Sequence, residues 1–232
     1  MQWIDALIQG ILLGGRYALS ALGMALMSGV MRIVNITHGD LVVLLALIGI
    51  SLSGWLGVGP VAVLIMLVPL VAFIGWSLQK VVLNRAVGDD PIPSLIATFG
   101  LSIALQNLMP RFGPPTPALC QVAASLTGIN PKRIYASATA SAVGILGFAA
   151  VFQSLRSTVA PSDGPFQLIY AFEAVIIGGM GSIWGAFIGA MVLGISQAIG
   201  FRINPGFGIL AGHLVFLLIL ALRPQGILGN TS

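Results

Sequence analysis

The run Ile176-Ile177-Gly178-Gly179-Met180-Gly181-Ser182 breaks an apolar tract that extends from Phe166 to Ile199, and its reading decides the fold. The arms on either side, Tyr170–Ile176 and Ile183–Ile199, carry one charged residue, Glu173. The hydrocarbon core of a bilayer is about 30 Å thick and takes roughly 20 helical residues to cross. Backbone in lipid must satisfy its own hydrogen bonds, so both arms are predicted as helices. Glycine adopts dihedrals closed to other residues and lets neighbouring backbone approach. The centre is therefore predicted as a break, giving two half-helices or a re-entrant hairpin. Irregular backbone at membrane depth persists only where protein or a water-filled cavity covers it, and such helix ends point at solutes and ions. Gly178, Gly179 and Gly181 are candidates for lining a path. The Gly181/Gly185/Gly189 spacing suits close helix packing equally well.

The rest of the chain has the same character. Apolar residues make up 57% and charged residues 7%, with a mean hydropathy of +1.04. A soluble domain carries about 25% charged residues. Ten basic and six acidic side chains cannot cover a water-facing surface for 232 residues. Further apolar runs occupy 6–31, 41–56, 61–83, 92–109, 134–155 and 207–222. The expected fold class is all-α: a polytopic transmembrane helix bundle with a glycine-interrupted (re-entrant or broken) helix pair, forming a single domain over 1–232. Met1 to Asp5 lack the basic segment of a signal peptide, and the apolar run continues beyond signal length. The first run is expected to be a permanent span.

The net charge of +4 comes from scattered residues with no Lys/Arg run, so no nucleic-acid partner is expected. Basic residues collect instead in cytoplasmic loops of membrane proteins. Lys80 with Arg85, Lys132 with Arg133, and Arg223 mark such loops. Pro60, the stretch Gly113-Pro114-Pro115-Thr116-Pro117 and the N-terminus then fall outside, along with Arg111, Arg156 and Arg202. One inconsistency follows. A single apolar run lies between Arg85 and Lys132, and one crossing cannot join two loops on the same side. Lys132 is expected to be cytoplasmic, with 95–117 failing to span or forming a distorted hairpin broken at Pro110.

A second polar break is Asn35-Ile36-Thr37-His38-Gly39-Asp40. Asn, Thr and Asp favour helix N-caps, so the break is predicted to open the next helix. Either it is an ordinary interfacial loop, or a helix N-terminus carrying Asn35, Thr37, His38 and Asp40 lines a path. Charge at the centre of a spanning helix is disfavoured by about 2.5–3.5 kcal/mol on insertion scales. That singles out Asp40, Glu173 and Arg16. Arg16 can pair with a carboxylate, which the sequence does not identify.

Enzyme constellations are missing. His38, His213 and Cys120 cannot assemble a usual zinc site, and no HExxH or GxSxG pattern occurs. Cys120 has no partner for an intramolecular disulfide and reads as a small apolar residue. A phosphate-binding loop needs Gly-Lys before Ser or Thr, but Lys80 follows Gln79 and Lys132 follows Pro131. No catalytic residue, metal or cofactor is expected, and any ATP-driven work falls to a separate chain.

Several strings resemble the permeases of branched-chain amino acid ABC transporters, of the LivH type. They are Gly14-Gly15-Arg16-Tyr17-Ala18-Leu19, Ala21-Leu22-Gly23, Gly29-Val30-Met31-Arg32-Ile33-Val34 continuing through Asn35 to Asp40, and Leu95-Ile96-Ala97-Thr98-Phe99-Gly100-Leu101-Ser102. Leu105-Gln106-Asn107, Gly128-Ile129-Asn130, Ala171-Phe172-Glu173-Ala174 running into the 176–182 break, and Arg223-Pro224-Gln225-Gly226-Ile227-Leu228-Gly229 complete the match in order along the chain. The resemblance implies import of leucine, isoleucine or valine across the bacterial inner membrane by alternating access. It implies as partners a second permease subunit (LivM type), two ATP-binding subunits and a periplasmic substrate-binding protein. Within Val122–Asn130, the resemblance marks Ala123, Ala124, Gly128, Ile129 and Asn130 as the cytoplasmic segment that docks on the ATPase. On their own chemistry these residues form a weakly polar turn beside basic ones.

The chain departs from the family where its topology fails to close. Family members have another helix of about 20 residues before the coupling segment. Here Cys120 runs directly into Gln121, which points to an internal deletion near 120/121. Three readings stand: an importer permease, a shortened paralogue that assembles without transporting, and an ion-coupled secondary transporter or channel. Relatives are also expected to carry urea or short amides, so the cargo is open between those and branched-chain amino acids.

Overall fold

The computed structural model describes residues 2–31, 35–83, 92–109, 133–156 and 159–229. Among them the regular elements are helical throughout. We number the helices α1 (Gln2–Met31), α2 (His38–Leu56), α3 (Pro60–Leu78), α4 (Ile92–Leu108), α5 (Arg133–Arg156), α6 (Gly164–Gly178), α7 (Ile183–Ile203) and α8 (Phe207–Leu222). A π-turn, Gln79–Leu83, continues α3. Among the described residues five segments are long and apolar enough to cross a membrane: Trp3–Val30, His38–Leu56, Val61–Val81, Ala138–Leu155 and Ile183–Ile203. The chain is an all-α, multi-span membrane protein.

Its surface and interior show the polarity of a molecule solvated by lipid. Trp55, Ile65, Ile96, Trp184, Leu218 and Leu222 lie on the outside. Thr37, His38, Asp40, Gln79, Glu173 and Gln197 are buried. Water-soluble folds sort these residue types the other way.

Two compact units divide the chain, Val30–Leu168 and the pair Met1–Gly29 with Ile169–Ser232. In Val30–Leu168 the core is made by α2, α3 and α5, with Leu41, Leu45, Leu67, Val71, Val143 and Leu146 at its centre. Helix α3 starts after Gly59 with Pro60 in its first turn, where a missing N–H matters least. A second proline, Pro69, lies inside it.

In the other unit α1, α6, α7 and α8 pack through glycine. Gly178 meets the backbone of Gly185, and Gly189 meets the Ala174 carbonyl, so α6 and α7 run antiparallel with their backbones in contact. Gly194 does the same against Gly10 and Gly14 of α1. Without Cβ atoms at these positions the helices come closer than side chains otherwise allow, and dispersion replaces the hydrophobic drive that lipid cannot supply. The break predicted at 176–182 is present. Helix α6 ends at Gly178, and α7 begins at Ile183 with Ser182 as its N-cap, whose hydroxyl accepts from Gly185 N at 3.0 Å.

Half-helices describe only the first arm. At 1.5 Å per residue, α6 with 15 residues reaches about 22 Å and falls short of a crossing. Helix α7 has 21 residues, about 31 Å, because its apolar run continues past Ile199 to Ile203. Helix α4 has 17 residues. The proline-rich stretch after it, the proposed deletion point 120/121 and Lys132 lie outside the described residues.

Candidate functional site

The first polar break folds into a compact turn ahead of α2. Asn35 Oδ1 accepts from Thr37 N at 3.0 Å, and the Asn35 carbonyl accepts from His38 N at 3.2 Å. Asn favours such turns because its side chain reaches backbone two residues ahead. Thr37 occupies the N-cap position, but its side chain does not cap its own helix. Its hydroxyl instead donates to the Thr98 carbonyl of α4 at 2.8 Å. The break opens a helix as expected, while its cap chemistry is spent on tying α2 to α4.

Asp40, in the first turn of α2, lies within the positive end of the helix dipole. Its Oδ2 accepts from Ser102 Oγ at 2.5 Å and its Oδ1 from Gln106 Nε2 at 3.0 Å. Only 1% of Asp40 is exposed. Among the described residues its carboxyl group is thus held by neutral donors rather than by an ion pair. Gly164 packs directly on Asp40, and Gly39 on the Gly164 carbonyl.

A small cavity opens beside this turn, lined by Asn35, Thr37 and Leu41 from the break, Thr98 and Leu101 from α4, and Leu78, Thr139 and Val143. At its edge, Thr139 Oγ1 donates to Gln79 Oε1 at 2.7 Å, and Gln79 is the first residue of the π-turn. π-Bulges recur at functional sites because they redirect one side chain out of helical register.

Of the predicted path residues, Asn35, Thr37, His38 and Asp40 come together in one buried turn. Sequence reasoning missed their partners Thr98, Ser102 and Gln106, and Ser94, whose carbonyl accepts from the Thr98 hydroxyl. These recur every fourth residue along α4, a polar stripe on one face of an apolar helix, and that spacing was the available signal.

Glu173, Gly178, Gly179 and Gly181 fall in the other unit. Gly179 has φ +101° and Gly181 φ +86°, conformations that side chains with a Cβ rarely adopt. A Cβ on Gly179 would also lie 2.6 Å from Gly229 N. The tail 223–229 turns back here: Ile227 N donates to the Ile177 carbonyl at 2.8 Å and Leu228 N to Gly178 at 2.9 Å. Those carbonyls are the ones a helix leaves without partners at its C-terminus. The second break is thereby closed by backbone from a segment almost 50 residues downstream. Glu173 Oε1 lies 2.5 Å from His213 Nδ1 of α8, a residue with no role assigned to it from the sequence. Arg16 sits over the ring of Tyr17, 4.9 Å from its centroid. Ala123, Ala124, Gly128, Ile129 and Asn130 lie outside the described residues.

Comparison with known proteins places this architecture. The family model described as branched-chain amino acid transport system / permease component matches residues 121–222. The chain is 26% identical over 302 aligned positions to the high-affinity branched-chain amino acid transport system permease protein BraD of Pseudomonas aeruginosa, covering 98% of this chain and 96% of the relative. It is 24% identical over 305 positions to LivH of Escherichia coli K12, covering 99% and 96%. A shorter match, 28% over 113 positions, joins 48% of this chain to 26% of the LivM permease of the same organism. No solved structure gives a significant match. The 302 positions shared with BraD exceed the 232 residues of this chain by 70, so at least that many positions of the relative have no counterpart here. One missing helix of about 20 residues accounts for less than a third of them. Along nearly its whole length the chain is similar to branched-chain amino acid transport permeases of the LivH type, and it is internally shorter than they are.

Proposed function

We propose that residues 1–232 act as one permease domain of an ABC importer in the bacterial inner membrane, translocating leucine, isoleucine and valine by alternating access. Similarity to BraD and LivH along nearly the whole chain carries this reading. The buried turn 35–40 and its α4 stripe support it, since a membrane protein has little reason to bury Thr37, Asp40 and Ser102 in one place, beside Gln106, except to offer polar groups to a polar solute. On this reading Asn35, Thr37, His38 and Asp40 in one unit, and Glu173, Gly178, Gly179 and Gly181 in the other, are substrate-pathway residues. The match to LivM supports a second permease subunit as partner. Two ATP-binding subunits and a periplasmic binding protein complete the proposed complex. Ala123, Ala124, Gly128, Ile129 and Asn130 are the proposed ATPase contact, where docking leaves no room for a large side chain at Gly128.

Uptake of radiolabelled leucine tests the reading, in a strain stripped of its own importers and given this chain with its neighbouring ATPase, binding-protein and permease genes. Uptake that requires this chain and a hydrolysing ATPase is expected. Gly128→Trp should abolish substrate-stimulated ATP hydrolysis in the reconstituted complex, and unchanged stimulation removes the coupling assignment. The 70 or more absent positions favour a second reading, a shortened paralogue that assembles but does not transport. Co-purification with the partner subunits combined with no uptake of leucine, isoleucine, valine or urea selects it.

A further inference from the structure

The unit formed by Met1–Gly29 and Ile169–Ser232 holds a second polar cluster, apart from the turn at 35–40. Tyr17 Oη donates to Gln197 Oε1 at 2.7 Å. The Tyr17 ring packs against Tyr170 with centroids 4.9 Å apart, and Tyr170 stacks in turn on His213 at 6.4 Å. His213 then meets Glu173, and the Arg16 guanidinium covers the far face of the series at Tyr17. Glu173 Oε2 and Gln197 Nε2 are buried without a hydrogen-bond partner among the described residues. Their side chains are not marginal, since Glu173 is 5% and Gln197 1% exposed. Both side chains meet α8 at successive residues: the Gln197 amide packs on Gly212, and Glu173 contacts His213.

Buried polar atoms in folded proteins are almost always satisfied, and exceptions ask for an explanation. Here one exception is an anionic acceptor and the other a two-proton donor. Tyr17 donates to the Oε1 of the same Gln197 side chain, and the Arg16 guanidinium lies over the Tyr17 ring. That set complements a small molecule with N–H donors and positive charge at one end and an anionic acceptor at the other.

We propose that this cluster binds the zwitterionic head of an α-amino acid, the ammonium on Glu173 Oε2 and the carboxylate on Gln197 Nε2 within the field of Arg16. The naming of the class rests on the permease reading above, which it deepens. It selects amino acids over urea, because an uncharged amide offers neither end a full charge. No bond is made or broken, and the selectivity is electrostatic.

The test uses the purified full-length chain in lipid nanodiscs, with tritiated leucine binding read by scintillation proximity. The competitors are leucinamide, which lacks the carboxylate, N-acetyl-leucine, which lacks the ammonium, and urea. Loss of a charge-assisted hydrogen bond corresponds to about 10- to 100-fold in affinity, so both derivatives should compete that much more weakly than leucine, and urea not at all. Glu173→Gln should weaken leucine by a similar factor and erase the discrimination against N-acetyl-leucine. Gln197→Leu should erase the discrimination against leucinamide. Ser154→Ala, on α5 in the other unit, should leave binding within about twofold, since only a neutral intrahelical bond is lost. Leucine binding that survives both cluster substitutions, or equal competition by urea, overturns the proposal. Should Glu173→Gln fail to give monodisperse protein, Gln197→Leu and the competitor series on the unsubstituted chain still decide it. Chain-dependent uptake without any effect of the cluster substitutions sinks this site and leaves the permease reading standing. Retained leucine binding with no uptake does the reverse.

Discussion

The two breaks solve one problem with different chemistry. Each interrupts a helix inside a lipid-solvated molecule, where an unsatisfied backbone group is disfavoured by several kcal/mol. At 35–40 side chains do the work: Asn35 and Thr37 bond backbone, and Asp40 is held by Ser102 and Gln106. At 179–182 backbone does it. Two glycines take positive φ, and the tail 223–229 delivers N–H groups to the orphaned carbonyls of Ile177 and Gly178. The side-chain break can be retuned one polar group at a time and is suited to contact cargo. The backbone break is nearly all-or-none, because its geometry has no side chain to adjust.

Substitutions can break or sharpen that contrast. The largest effect is expected from Gly179→Val. A β-branched residue at φ +101° is strained by about 1–3 kcal/mol, and its Cβ would also press on Gly229 N at 2.6 Å and the Gln225 carbonyl at 3.0 Å. Leucine uptake should vanish while the chain still co-purifies with its partners. Gly54→Ala, at a glycine of α2 with open space around it, should change nothing. Normal uptake by the valine variant would reduce 179–182 to an ordinary helix junction.

Next in size is Ile227→Pro, which removes the N–H that bonds Ile177. Leaving one buried carbonyl without its partner should lower stability by about 1–3 kcal/mol, or roughly 2–12 °C in thermal midpoint for a chain of this length. An unchanged midpoint would mean the tail rests on the break without closing it.

Asp40→Asn comes third. It keeps the shape but turns one acceptor into a donor facing Ser102 or Gln106, which are themselves donors to Asp40. About tenfold slower uptake is expected, with assembly retained and the midpoint lowered only modestly, because the Ser102 hydroxyl can rotate to accept. Loss of folding instead would make Asp40 structural and erase the distinction between the breaks. Ser102→Ala is expected to remove about 1 kcal/mol. Combined with Gln106→Leu it should show a coupling energy of at least about 0.5 kcal/mol, as for two donors on one carboxylate. Thr37→Val gives the smallest effect, about 0.5–1.5 kcal/mol, because only one neutral hydrogen bond to Thr98 is lost.

Helix positions were legible because lipid leaves one pattern: an apolar run of sufficient length. The breaks were legible too, one through clustered glycine and one through Asn35, Thr37 and Asp40. The partners of those residues were harder to see. Ser94, Thr98, Ser102 and Gln106 carry a period-four signal, yet single hydroxyls in an apolar helix look like noise until a carboxylate is placed against them. Glu173 with His213, Gln79 with Thr139 and Tyr17 with Gln197 are joined across 40, 60 and 180 residues, beyond any local periodicity. The closure by 223–229 left no side-chain trace at all, since both of its bonds are between main-chain groups. Cap preference misled slightly, because Thr37 found a better acceptor on α4 than its own helix offered. The half-length expected for both arms of the 166–199 tract failed on α7, where Phe201 and Ile203 extend the helix past the last clearly apolar run.

The close fit of α1 to α7 has a consequence for how the molecule is made. Gly10 and Gly14 meet Gly194, and Tyr17 bonds Gln197, yet these partners are separated by about 180 residues of chain. Helix α1 leaves the ribosome and enters the bilayer long before α7 exists. Throughout that interval its glycine groove, Tyr17 and Arg16 face lipid or whatever protein attends insertion. The contiguous segment Val30–Leu168 is synthesised in between and forms a compact unit from consecutive chain. Biogenesis should therefore pass through an intermediate with the middle of the chain packed and its first helix waiting. Arrest of translation just before residue 194 would trap that intermediate.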